Sequence, residues 1–328
     1  MTPGAISGEA TMRIGYFLAS EEYGPIELVR QAKLAEEHGM SSVWISDHFH
    51  PWNSEQGESS FVWTTIGALA QATDLAITTA VTCPTVRIHP AIIAQAAATA
   101  GVLTGGRFTL GLGSGEALNE HIFGDPWPSA DVRLDMLEEA VTVIRELFAG
   151  EVVRHRGEYY DVEHARLYSL PENPVPIYLS GFGEMSASLA GRIADGFITT
   201  KPDAELVKAF QDGGGRGKPM TAGMKVCWAP TKERGVETAH RIWANEELPG
   251  ELAQVLPNPE HFEQAQQLVT PDMVARSVPC GPDPRPYVEH IKQYADAGFD
   301  ELHIQQIGPD QDQFFSFFAK EVEPLLPS

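Results

Sequence analysis

Cysteine is scarce in this 328-residue chain: Cys83, Cys227 and Cys280 are its three, with no CxxC or zinc-like spacing among them. An odd, scattered trio excludes a disulfide framework and a thiolate-built structural metal, and points to a reducing, cytoplasmic setting. Basic residues are few as well, 23 lysines and arginines against 45 aspartates and glutamates, for a formal net charge of -22. That field repels phosphate backbones and anionic headgroups, so neither nucleic acid nor a membrane surface is an expected partner. An anionic ligand would need a local cluster of cations, backbone amides or a helix N-terminus. No apolar run reaches the ~18 residues of a membrane span, and residues 1–11, read as an N-terminal tail, lack the apolar stretch of a signal peptide. Low-complexity tracts are absent too.

What is present is a globular composition, 43% hydrophobic and 21% charged, sufficient to bury a sizeable core. Strand-like runs alternate with amphipathic helices. The strands expected are Arg13–Phe17, Ser42–Ser46, Leu75–Val81, Phe108–Gly113, Ile177–Ser180, Gly196–Thr199, Met224–Trp228 and Leu302–Gln305. The first helix opens at Pro25, places Leu28, Ala32 and Ala35 on one face, and stops at Gly39. Further helices are read at Val62–Ala72, Ala91–Leu103, Leu134–Phe148, Met185–Ala194, Glu205–Phe210, Tyr287–Ala297 and Asp312–Leu325. Eight strand signals fit a closed α/β TIM barrel better than an open sheet. Residues 12–328 then form one barrel domain, with insertions after strands 4 and 7: a hairpin at 152–168 and an irregular, partly helical stretch at 229–279.

In such a barrel chemistry belongs at the C-terminal strand ends. Directly after the second strand stands Asp47-His48-Phe49-His50-Pro51-Trp52. His48 there is suited to general-base work near neutral pH, or is a satisfied loop histidine beside a turn-capping Asp47. His48 and His50 also make an HxH pair, but His303, Glu301 and Gln305 on the last strand do not complete a metal set, and no metal is expected. After the fourth strand, Gly111-Leu-Gly113-Ser114-Gly115-Glu116-Ala117-Leu118-Asn119-Glu120 lets the backbone approach a flat ligand. Glu116 and Asn119 either hydrogen-bond that heterocycle or serve a helix N-terminus.

Taken in order, Ser46–Trp52, Thr78–Arg87 and Gly115–Glu120 resemble the F420-dependent glucose-6-phosphate dehydrogenase group of luciferase-like oxidoreductases. The resemblance implies a homodimeric TIM barrel with the deazaflavin coenzyme F420 at its mouth and a non-proline cis peptide at Ala80–Val81. It implies His48 as the base for the substrate hydroxyl, Trp52 beside the reacting centre and Glu116 as the acid toward the coenzyme. Base and acid on opposite sides of a hydride transfer also make chemical sense, because the substrate sheds a proton as the coenzyme gains charge. Asp47, Ala80, Val81, Cys83, Gly113, Ser114, Gly115, Asn119, Ser180, Gly181, Phe182 and Gly183 would hold the coenzyme. Glu21, Thr199, Lys201 and Arg276 would meet the small-molecule substrate.

Sugar-phosphate members use a further lysine that Leu252-Ala253-Gln254-Val255-Leu256 does not supply, which disfavours glucose 6-phosphate. Lys201 and Arg276 read equally well as a solvated lysine and a helix-surface ion pair. The hydride would pass between an alcohol or hemiacetal carbon and F420. The rival readings are an FMN-dependent luciferase-like monooxygenase on the same barrel and a deazaflavin-binding paralogue without turnover.

Overall fold

The alternation closes on itself in a computed structural model, which describes residues 12–327; the expected tail at 1–11 lies outside the described residues. The chain runs β1 (Arg13–Leu18), α1 (Pro25–Glu37), β2 (Ser42–Ile45), α2 (Val62–Ala72), β3 (Ala76–Thr79), α3 (Pro90–Leu103) and β4 (Phe108–Leu112). Then come α4 (Ala117–Glu120), α5 (Ala130–Phe148), the hairpin β5 (Val153–Arg156) and β6 (Asp161–Ala165), β7 (Ile177–Ser180), α6 (Glu184–Ile193), β8 (Gly196–Thr199), α7 (Ala204–Phe210) and β9 (Met220–Val226). Four short helices follow, α8 (Lys232–Trp243), α9 (Leu252–Val255), α10 (Pro259–Gln266) and α11 (Pro271–Ser277), before α12 (Pro284–Asp296), β10 (Glu301–Gln306) and α13 (Gln311–Phe317). Eight strands pair in parallel in the closed order β1-β10-β9-β8-β7-β4-β3-β2.

Period two sorts the side chains of each strand. Val43, Ile45, Ile77, Leu110, Leu112, Ile177, Leu179, Leu302 and Ile304 are buried outward, against helix residues such as Leu28, Ala32, Ile93 and Ala97. Each large aliphatic side chain so buried contributes about 1.5–3 kcal/mol. Inside the barrel Phe17, Trp44 and Ile198 form a separate cluster. The Trp44 ring is wide enough to forbid a side chain on β9, where a Cβ at Gly223 would lie 2.7 Å from it.

Several expected boundaries shift, α5 opening at Ala130 rather than Leu134 and α12 at Pro284 rather than Tyr287 among them, and two shifts are larger in consequence. The seventh barrel strand begins at Met220, not Met224, because Met220 and Thr221 pair with Phe197 and Ile198 while Thr221 and Ala222 pair with Glu301 and Leu302. Small residues in Thr221-Ala222-Gly223 hid its first half. The terminal helix leaves α-geometry after Phe317, continuing as a π-turn (Phe318–Val322) and a 3-10 turn (Glu323–Leu325).

Both insertions act as covers. The hairpin folds where expected, after α5: Glu139 accepts from the amides of Glu158, Tyr159 and Tyr160, and the Tyr160 hydroxyl donates to the carbonyls of Pro84 and Thr85. The stretch after β9 leaves and rejoins the barrel at one neck, where Cys227 N donates to Pro279 O (2.9 Å) and Gly281 N to Cys227 O (3.0 Å). Its helices pack over the mouth through Ile242, Trp243, Val269 and Val274, joined by Ala19 and Ile307 of the barrel.

Candidate active site

β2 runs straight into the Asp47–Trp52 loop, and the residue that follows the strand, Ser46, fixes the neighbourhood. Ser46 Oγ donates to Glu21 Oε2 (2.6 Å) and accepts from Ser20 N (3.0 Å), so the carboxylate of Glu21, 3% exposed, is aimed at the loop. There Glu21 Oε1 lies 3.3 Å from His48 Nε2. The other ring nitrogen, Nδ1, lies 3.3 Å from the His50 carbonyl. Both imidazole edges therefore face oxygen acceptors, and a ring that has gained a proton keeps a partner on each side. Trp52 packs on His48 at 5.0 Å between centroids, and is itself wedged edge-on against Phe262 of α10.

Asp47 turns the opposite way, into a buried network. Its Oδ2 accepts from Thr82 Oγ1 (2.7 Å) and its Oδ1 from Arg87 Nη2 (2.9 Å); Arg87 also reaches Glu120, whose Oε2 accepts from the Arg87 amide (2.7 Å). Burial alone would lower the Arg87 pKa, but Asp47 and Glu120 turn the net shift upward. Burial raises the Glu120 carboxyl, against the pull of Arg87. Asp47 thus presents the loop backbone, not a free carboxylate, to the mouth.

β4 supplies the facing wall. Asn119 Oδ1 accepts from the amides of Phe49 (2.9 Å) and His50 (3.1 Å), keying the β4 loop to the β2 loop, while its Nδ2 is buried without a partner. Glu116, half-buried, is the N-cap of α4. Gly113 is needed for space, since a Cβ there would meet Val81 Cγ2 at 2.6 Å and Ser180 Oγ at 2.9 Å. Gly115 is needed for conformation, at φ +83. Ser114 is half-buried between them. The Ala80–Val81 bond is cis, as the resemblance implied. Cys83, its thiol pushed up by burial, contacts Thr85 Oγ1 at 3.0 Å. Beyond Ser180 and Gly181 the exposed Phe182 and Gly183 lead into the N-terminus of α6.

The structure therefore brings together Glu21, His48, Trp52, Asp47, Val81, Cys83, Gly113, Gly115 and Asn119, with Ser180 closing the slot. It does not gather the expected substrate cations. Thr199 is fully buried, with Oγ1 accepting from the Lys201 amide (3.4 Å). Lys201 and Arg276 are exposed, and among the described residues neither enters an ion pair. Among the described residues no three histidine, cysteine or carboxylate side chains converge as a metal set. His303 is stacked on Trp44 inside the barrel at 4.4 Å.

Sequence reasoning missed Arg87, Glu120, Lys225, Trp243 and Gln305. Lys225 projects from β9 into the mouth, its Nζ 2.8 Å from Glu246 and 4.4 Å from the Trp243 ring centroid. Trp243 Nε1 donates to Glu22 (2.7 Å), a carboxyl whose pKa is raised by burial. The covering insertion also grips the loop after β2, since Asn53 Nδ2 and Gln56 Nε2 both donate to the Ile242 carbonyl at 3.0 Å. A lone lysine inside an otherwise apolar strand was the available signal.

Comparison with known proteins matches residues 12–301 to the luciferase-like monooxygenase family. An F420-dependent glucose-6-phosphate dehydrogenase of Microbacterium testaceum is 39% identical, covering 96% of this chain and 97% of that one. Its counterpart in Amycolatopsis mediterranei is 36% identical, covering 96% and 98%. Among solved structures, an F420-dependent secondary alcohol dehydrogenase in complex with an F420-acetone adduct superposes with a TM-score of 0.90 at 32% identity, over 97% of this chain and 100% of that one.

Proposed function

The chain belongs to the luciferase-like monooxygenase family, and from that premise we propose that it is an F420-dependent dehydrogenase that exchanges a hydride with an alcohol or hemiacetal carbon. The observation that carries this is the keyed pair of walls: a buried His48–Glu21 couple on one loop, tied by Asn119 to a glycine slot carrying Glu116 on the other. The slot fits a planar heterocycle. Gly113 and Gly115 let the β4 loop lie directly against Val81, Ser180 and Cys83, which presents backbone to the mouth, and the unpartnered Asn119 Nδ2 is a donor in want of an acceptor.

The loop backbone at Asp47, the segment Ala80, Val81 and Cys83, residues 113–115, Asn119 and residues 180–183 would hold the coenzyme. When bound, F420 supplies a hydride acceptor and donor. His48 takes the hydroxyl proton, and the buried Glu21 carboxylate beside it stabilises the resulting imidazolium. Trp52, pinned by Phe262, excludes water from His48 and orients the substrate. Glu116 exchanges a proton on the coenzyme side.

The test is a titration of the purified protein with oxidised F420, followed by a panel of alcohols, sugars and sugar phosphates read as loss of the coenzyme's visible absorbance. Saturable binding and turnover of at least one alcohol are expected. Flavin bands in the protein as isolated would point to the FMN-dependent monooxygenase reading, and binding without turnover to a deazaflavin carrier.

The protein is also read as a homodimer in the cytoplasm. An apolar groove between α2 and α3 is lined by Phe61, Trp63, Ile66, Ile88, Ile92 and Leu103, with Phe61 and Ile92 each 58% exposed. Paired copies would cover it. Ile92→Glu should convert the dimer to monomer by light scattering, and an unchanged mass would remove this face from the interface. Three buried free thiols suit a reducing compartment. Among the described residues no helix is long and apolar enough to cross a membrane.

A further inference from the structure

Inside the barrel, below the lid, polar atoms lie buried without partners. His303 stacks on Trp44, which packs edge-on to Phe17, so β10 turns His303 inward. Two residues on, alternation turns Gln305 inward as well, beside Lys225, its register partner on β9. Their neighbours confirm the phase: Leu302 and Ile304 belong to the outer core, and Gln306 accepts from Trp228 N. Gln305 is 1% exposed, and neither its Oε1 nor its Nε2 has a partner; Trp44 Nε1 has none either.

Buried amides are almost always hydrogen-bonded, so a glutamine with both ends idle marks a place where something else completes the set. The chemistry of that amide is mixed: Gln305 Oε1 accepts, while Gln305 Nε2 donates. A phosphate or carboxylate needs donors alone, whereas a hydroxyl uses an acceptor and a donor together. The nearby cation does not change that balance, because Lys225 is already paired with Glu246 at 2.8 Å and lies over the Trp243 ring.

We infer that Gln305, with Lys225 beside it, forms a subsite for a second hydroxyl of the substrate, so that the protein acts on neutral polyhydroxy compounds in preference to simple alcohols or sugar phosphates. The identity of the reaction rests on the dehydrogenase reading above. Gln305 is a specificity residue here, and His48 retains the proton chemistry.

The experiment compares matched pairs, propan-2-ol with propane-1,2-diol and cyclohexanol with cis-cyclohexane-1,2-diol, and adds glucose 6-phosphate. In the wild type the diol should exceed the monoalcohol in kcat/KM by about 10⁴-fold, the order expected when a site is built to hydrogen-bond a hydroxyl. Gln305→Leu should bring that ratio to about 1 and, by removing two unpartnered buried polar atoms, raise the melting temperature. If that variant does not fold, Gln305→Met carries the same comparison. Diol binding is also read without turnover, as quenching of Trp44 and Trp243 fluorescence that Gln305→Leu should abolish. A wild-type ratio near 1, a ratio unchanged by Gln305→Leu, or preference for glucose 6-phosphate over the diols overturns the inference. Turnover of monoalcohols with no diol preference sinks the subsite and leaves the dehydrogenase standing. Gln305-dependent quenching with no reduction of bound F420 does the reverse.

Discussion

The two halves of the barrel mouth are built on opposite principles. On the β2–β4 side the polar groups of Asp47, Thr82, Arg87 and Glu120 answer one another, and Asn119 locks two loops together. On the β9–β10 side Gln305 has no partner, and Lys225 leans on a glutamate from the covering insertion. In the first half the ionised groups and the loop-locking oxygen are all paired, leaving single donors such as Asn119 Nδ2 and Trp44 Nε1; in the second both ends of one amide are idle. On the proposed reading, the cross-linked half carries the proton chemistry and the half with unmet hydrogen bonding carries recognition.

The contrast can be broken most directly at His48. His48→Ala should lower kcat by about 10²–10⁴-fold, the usual contribution of a positioned general base, with F420 affinity nearly unchanged by titration. Equal loss of binding and rate would mean that the loop, not the proton chemistry, had been damaged.

Arg87→Met strands two buried carboxylates, and should destabilise the fold by about 3–5 kcal/mol in a urea melt. A loss under about 1 kcal/mol would show that the complete half is not held by this network.

The barrel interior offers a pH readout. Burial depresses the His303 pKa to about 4, against its charge partner Glu301; Ser42 contacts its ring and Arg13 lies near. Its unfolded pKa is about 6.5, so between those values the unfolded chain binds more protons, and stability falls as pH drops from about 6.5 to 4. Glu301, whose pKa is lowered, adds its own loss at lower pH, below the ordinary carboxylate range. His303→Gln should remove roughly 3 kcal/mol of that pH-dependent loss. An identical stability–pH curve in the variant would place the dependence elsewhere.

The smallest effect is expected at Lys225→Met. Its partner Glu246 is 35% exposed, so the pair contributes about 1 kcal/mol or less to stability, and the change should register in KM before it registers in a melt. A melt shift as large as that of Arg87→Met would erase the distinction between the halves.

The barrel was legible because each strand carries its own alternation and each helix its own stripe; where small residues blurred the period, at Thr221-Ala222-Gly223, four residues of strand were lost. The β2–β4 half was legible because its residues are contiguous at strand ends, as in Asp47–Trp52 and Gly113–Asn119. Arg87, in an acidic chain, read as part of a loop, because its partners Asp47 and Glu120 stand 40 and 33 positions away. Gln305, Lys225 and Trp243 come from three separate elements, so even where a lone lysine in an apolar strand stood out, nothing local showed which residues it would meet.

The neck at Cys227 and Cys280 has an evolutionary corollary. Because the cover enters and leaves the barrel between two residues bridged backbone to backbone, the stretch 229–279 is one contiguous segment joined to the barrel chain at a single neck. Changes within that segment redraw the roof over the mouth while the strand order is kept, and the barrel positions they touch include Glu22, Lys225, Asn53 and Gln56. Diversification of such enzymes by exchange of one contiguous gene segment is the route this architecture leaves open.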